Sequence, residues 1–382
     1  MQAVITNTVT CYSATMELND TSALSAVCET VQHNCAISDA RFARDYSLCI
    51  YLLRMREFYR WKEQIPPGDS IDTEALGAWV SDTEMHWDEI EETDFLPLPL
   101  NGKSIEPFDT MAVNDALQQT GLVYSAGIGR FGQPHFVLAK LRQQTRHDDI
   151  VCIECGDELA RDTITMPAMT QGSTVFIRHH SIAQMLWQML DEWRIKKLPG
   201  PMSRVVTHFD INFDAPLDPQ IARVAEALAP LLLQHEFGEQ AVSERLGKDF
   251  SAVIQAFLGR RGEMALRAVR DLLADSIKTW PFILQDNTTD SSAPSAVYLD
   301  FWLASLNGYR EVLLKQSPQA QAFLSQAEGL TASGRQAALK RLIEPEQERW
   351  QQVATALIAD FNTHGDALDV EATINTCAGN WS

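Results

Sequence analysis

The feature that most constrains this chain is a change of character along it. Short runs rich in β-branched and aromatic residues are confined to about residues 122–180, and from Pro216 onward no segment is convincing as a strand. The expected strands are Val123-Tyr124, Phe136 to Leu141, Ile150 to Glu154, Thr163 to Met166 and Thr174 to Arg178. Glycine-bearing turns such as Gly156-Asp157 and Gln171-Gly172 separate some of them, so the segment reads as a small, largely antiparallel β-meander.

Helical spacing flanks it on both sides. Tyr46 to Lys62 reads as a largely buried helix that stops at Ile65-Pro66-Pro67-Gly68. Asp72 or Thr73 caps a second helix running through Trp79, His86 and Ile90. The alternating prolines of Leu96 to Gly102 predict an extended loop. A helix is expected from Ser181 to Ile195, ending near Leu198-Pro199-Gly200-Pro201, with one more strand at His208 to Phe213.

Three apolar stripes mark the C-terminal part. They are Val269, Leu272, Leu273 and Ile277; Leu299, Trp302, Leu303 and Leu306; and Trp350, Val353, Ala354, Leu357, Ile358 and Phe361. Arg267 and Asp271 are placed to pair on the surface one turn apart. Asp286 to Pro294 reads as a polar surface loop, and the Thr- and Ser-rich first forty residues as starting with a loose tail.

The expected class is therefore α+β, mainly α. N-terminal helices (about 40–95) precede a β-rich segment (about 120–180), the two forming a mixed domain over 1–215, and an all-helical bundle occupies 216–382. At 382 residues and 45% hydrophobic content, the chain can bury two cores.

The charge balance narrows the partners. With 51 acids against 31 bases, the net charge of −20 repels phosphate backbones, so nucleic-acid binding is not expected. Arg54 to Lys62 interleaves cations with aromatics, yet it fits an amphipathic helix with solvated or acid-paired cations. The first forty residues contain no Lys or Arg and no long apolar run follows, so neither a signal peptide nor a membrane span is expected. Seven scattered cysteines suit a reducing compartment, and the expected location is the cytoplasm.

Three groups of residues could carry chemistry. Gly127, Gly129 and Gly132 form a literal G-x-G-x-x-G, the pattern that cradles a pyrophosphate when a helix follows it. Without further βαβ alternation, a glycine-rich turn between strands is the preferred reading, and an extended strand after Gly132 would remove the nucleotide. Cys152 and Cys155 stand as C-x-x-C-G, half of a zinc knuckle, and His147, His135 or one of His179 and His180 could complete a site. The preferred alternative is a strand entering a turn with both thiols free. Asp82, His86 and Glu89 share a helix face, as do His235 and Glu239, and facing helices of this kind hold non-haem iron or manganese. A solvated face is again preferred, because acids are abundant.

No nucleophile elbow, phosphate loop, His-Glu-x-x-His or kinase signature occurs. The leading expectation is a non-catalytic accessory protein acting through a protein partner or a defined assembly, homo-oligomer included, with exposed apolar patches or the Trp381 tail as contacts. The rivals are a metal-dependent enzyme (zinc or non-haem iron), such as an oxidoreductase, and a nucleotide binder.

Overall fold

The computed structural model describes residues 21–285 and 295–379. The expected N-terminal tail, the Asp286 to Pro294 loop and Trp381 fall outside the described residues. The fold is mainly helical, 66% helix and 14% strand, with N-terminal helices, a sheet and C-terminal helices in that order.

The first compact unit comprises residues 1–129, 133–188 and 213–222. Its helices are α1 (Thr21–Phe42), α2 (Leu48–Lys62), α3 (Thr73–Ile90) and α4 (Thr110–Leu117). Asp72 caps α3 by accepting from the Glu74 and Ala75 amides, as its position before the apolar run predicts. Helix α1 buries Val27, Val31, Cys35 and Ile37, and between them its inward face is also polar. Asn34 both donates to the Leu96 carbonyl and accepts from its amide. The Cys35 thiol bonds the Phe136 carbonyl, and Asp39 accepts from the Thr163 amide and hydroxyl.

The strands are β1 (Leu98–Leu100), β2 (Lys103–Ile105), β3 (Leu122–Ile128), β4 (Pro134–His147), β5 (Ile150–Arg161), β6 (Ala168–Gln171) and β7 (Thr174–Arg178). β1 and β2 form a hairpin across Asn101 and Gly102, whose φ values of 51° and 70° give the primed turn that two-residue hairpins favour. The proline-rich run expected to be loop is thus a strand, because Pro99 sits in a two-stranded ribbon that tolerates a missing donor. The larger sheet runs β3-β4-β5-β7-β6, with β3 to β5 a meander and the β6–β7 hairpin placing β7 parallel to β5. Thr163 to Met166 is not a strand, since Thr163 gives its amide to Asp39 instead of a ladder. One cluster on the sheet, including Tyr124, Phe136 and Leu138, packs with α1 and α4 residues, and another gathers Val123, Val137, Ile153, Cys155 and Phe176.

The second unit comprises residues 130–132, 189–212 and 223–382. The expected boundary near residue 215 falls in a stretch that clusters with the first unit, while 189–212 clusters with the second. Helix α5 (His179–Lys196) leads to α6 (Pro201–His208), which begins at a Gly-Pro start; the strand expected at His208 to Phe213 is absent, since α6 ends at His208 and 209–213 are turn and coil. Then come α7 (Asp218–Ala256, interrupted at Gly247), α8 (Glu263–Ala274), a π turn (Asp275–Thr279), α9 (Trp280–Leu284), α10 (Ser295–Ser305), α11 (Gly308–Leu314), α12 (Pro318–Gln326), α13 (Ala332–His364) and α14 (Val370–Gly379). The three stripes lie on α8, α10 and α13, where Val269, Leu272, Leu299, Trp302, Trp350 and Leu357 are buried. Arg267 pairs with Glu263 at 2.7 Å, and Asp271, expected on the surface, is buried and holds Arg270.

Candidate functional sites

Two places stand out, one in each unit. In the second, α7 and α8 meet at a charged cluster. Gly238 lets them approach, since a Cβ there would lie 2.5 Å from the Ala274 carbonyl oxygen. The π turn that follows starts at Asp275, and such turns are frequent at functional sites. Asp275 is fully buried and accepts from three donors: His235 Nδ1 at 2.8 Å, Trp302 Nε1 at 2.9 Å and Arg310 Nη2 at 2.6 Å. Burial opposes its charge, but Arg310 and His235 outweigh it and hold the carboxyl far below the usual range.

His235 faces Glu239 with its other nitrogen at 3.5 Å. Burial would lower its pKa, yet Asp275, Glu239 and Asp271 raise it well above the usual value. Arg270 Nη2 lies 2.7 Å from Glu239 and 3.0 Å from Asp271. The cluster is not sealed: the side chains of His235, Glu239, Arg270 and Arg310 are 15–24% exposed.

In the first unit, the opening turns of α2 are apolar and open to solvent. Leu48 is 70% exposed, Ile50 46%, Leu52 49% and Leu53 40%, and Cys49 between them is exposed as well. Only Tyr51 turns inward, donating to Glu84 of α3 at 2.7 Å. Met85, next to that glutamate, is 58% exposed. The helix expected to be largely buried is therefore buried only from Met55 onward, where Glu57 holds Arg56 and Arg60.

The sequence candidates fare differently. Gly127 to Gly132 is a β-hairpin: β3 ends at Ile128, Arg130–Gly132 makes a 3-10 turn, and β4 returns antiparallel. With a strand after Gly132 and no helix N-terminus, the dinucleotide reading is corrected. Cys152 and Cys155 are both buried on β5, but an i, i+3 pair in a strand points to opposite faces. Cys155 packs with Ile153 and Phe176, whereas Cys152 meets Thr145, which lies 3.4 Å from His147. The two sulfurs cannot share one zinc, and burial pushes their thiols up to about 11 for Cys152 and about 12 for Cys155.

Asp82, His86 and Glu89 do share a face of α3, and that face is water-exposed, with His86 52% and Glu89 79% open. His235 and Glu239 do converge, but with Asp271; this trio is the one metal-sized group among the described residues. Sequence reasoning missed Asp271, Asp275, Arg270 and Arg310. The usable signal was Gly238, an isolated glycine inside a helical pattern three residues from His235.

The N-terminal domain model of a family of unknown function, DUF6866, matches residues 26–178, and the family's C-terminal domain model matches 183–378. The second match alone spans more than half of the chain. The chain belongs to the DUF6866 family. The two family matches leave 179–182, the first turn of α5, between them, and the compact units divide later in the same helix, between Gln188 and Met189. No curated protein and no solved structure matches this DUF6866 member. No helix among the described residues is long and apolar enough to cross a membrane.

Proposed function

We propose that the chain is a non-catalytic accessory protein that docks a partner protein on the opening turns of α2. The observation that carries this is the apolar exposure of Leu48, Ile50, Leu52 and Leu53 at one helix end. Covering these four side chains, which are 40–70% exposed, contributes about 3–6 kcal/mol before the cost of association. The neighbouring α3 and the residues after it expose Asp82, Asp88, Glu89, Glu92 and Asp94, of which Asp88 is paired with Arg44. A partner that presents an apolar face flanked by Lys and Arg complements that acidic border, which also disfavours anionic lipid or a second copy of the same surface.

The test compares Leu48→Ser/Leu52→Ser with the wild type. Both positions are exposed, so the unfolding temperature should hold while the copurifying partner is lost. Identical recovery of the same partners by both proteins would sink the proposal.

A metal-dependent reading has one specific observation in its favour. His235, Glu239 and Asp271 could each offer one ligand atom within 4.8 Å of the others, and Asp275 orients His235 through Nδ1 as metal-bound histidines usually require. Against it, the Arg270 guanidinium already lies between Glu239 and Asp271 and supplies the positive charge there. Elemental analysis decides: stoichiometric zinc, iron or manganese lost in His235→Ala would favour the enzyme.

A further inference from the structure

We infer that the second unit binds a small oxyanion, phosphate- or carboxylate-bearing, on Arg130, Arg270 and Arg310 beside His235. A chain of net charge −20 gathers these cations at one place, and the acids among them act mainly as props. Asp271 holds Arg270 through Nε at 3.2 Å and Nη2 at 3.0 Å, and Asp275 holds Arg310 through Nη2. Each guanidinium is thereby fixed while retaining further donors, the arrangement that suits forked recognition of an oxyanion.

Two donors are left over. Arg310 Nε is buried and meets no acceptor among the described residues. Arg130 is exposed and makes no hydrogen bond or ion pair among the described residues. It is nonetheless held in place, because the next amide, Phe131 N–H, is bonded by Glu263 at 3.0 Å. Desolvation lowers the pKa of Arg130, and Arg267, Arg270 and Arg310 lower it further against Asp271, as befits a cation crowded by its own kind. An oxyanion would satisfy the buried Arg310 donor and relieve that crowding beside His235.

A metal site does not account for the buried Arg310 donor, and a cation at the His235 trio would add to the crowding. The partial exposure of His235, Arg270 and Arg310 provides the way in.

Calorimetric titration of the full chain at low ionic strength, with inorganic phosphate in one arm and malonate in the other, tests the site. Saturable binding of at least one anion is expected, and the tighter arm names the ligand's source. Arg130→Gln should weaken it about tenfold, roughly 1.4 kcal/mol, without moving the ligand-free unfolding temperature. Arg310→Lys, which keeps the charge and loses the fork, should weaken it as well. Arg146→Gln removes the same charge from an exposed strand position and should leave binding unchanged. No saturable binding of either anion would overturn the inference. So would undiminished affinity in Arg130→Gln, or an equal loss in Arg146→Gln, which would reduce the effect to overall charge.

Discussion

Gly238→Ala separates the structural account from helix propensity, because the two predict opposite signs. Alanine in a helix interior is favoured over glycine by about 0.8–1.0 kcal/mol, so propensity alone predicts a stabilised protein. In the structure the new Cβ would lie 2.5 Å from the Ala274 oxygen, 2.8 Å from its carbonyl carbon and 3.0 Å from its Cα. All three are backbone atoms, so no side-chain rotation relieves the clash, and α7 must move off α8. Overpacking of this kind costs about 1–3 kcal/mol, and contacts this short place it at the upper end. After the propensity gain, a net loss of about 2 kcal/mol remains. For a unit of this size that lowers the unfolding temperature by about 4–8 °C. The control is Gly77→Ala in α3, where a Cβ meets nothing within 4 Å and the propensity gain should appear unopposed. Scanning calorimetry of both variants reads the difference directly. An unchanged or raised transition in Gly238→Ala would refute the close approach of α7 and α8.

Asp275→Asn removes the charge that His235 and Arg310 share, and breaking a buried pair costs about 3–5 kcal/mol. The raised His235 pKa stabilises the fold fully below the ring's ordinary value and is lost as pH rises through its folded value. In the variant, the His235 titration followed by NMR should therefore move down and the alkaline loss of stability begin earlier. His135 behaves in the opposite sense: burial, with Arg178 adding, lowers its pKa to about 3, and both ring nitrogens lack partners. The unfolded ring takes a proton below pH 6.5 and the folded one does not, so stability should fall by about 2 kcal/mol by pH 5. His135→Asn should flatten that slope in urea titrations. Cys49, exposed on α2, should react with a thiol reagent in the native state, while Cys152 and Cys155 react only on unfolding.

Much of the architecture was legible because it rests on periodicity. The stripe from Trp350 to Phe361 and the cap at Asp72 are local signals, and the structure places a helix on each. What escaped was decided by tertiary contacts. Asn34, Ser38 and Asp39 lie on the buried face of α1 among Val27, Val31, Cys35 and Ile37, and their distant partners, backbone groups of other elements included, are not visible in any local pattern. Leu48 to Leu53 looks like core because apolar content reveals which residues would gain from burial, not whether anything covers them. His235 and Glu239 could be paired by helical spacing, whereas Asp271 and Asp275 join them only because Gly238 lets α8 come close. The cysteine pair fails for a simple reason of parity: three residues along a strand changes face.

The most direct test of the docking surface is a photo-crosslinking residue placed at Ile50, at the centre of the exposed turns of α2, and irradiated in living cells. The account predicts one dominant adduct to a protein whose crosslinked segment is apolar and flanked by basic residues. It also predicts loss of that adduct when Leu48 and Leu52 become serine. No adduct at Ile50, or an adduct indifferent to those two substitutions, would contradict it.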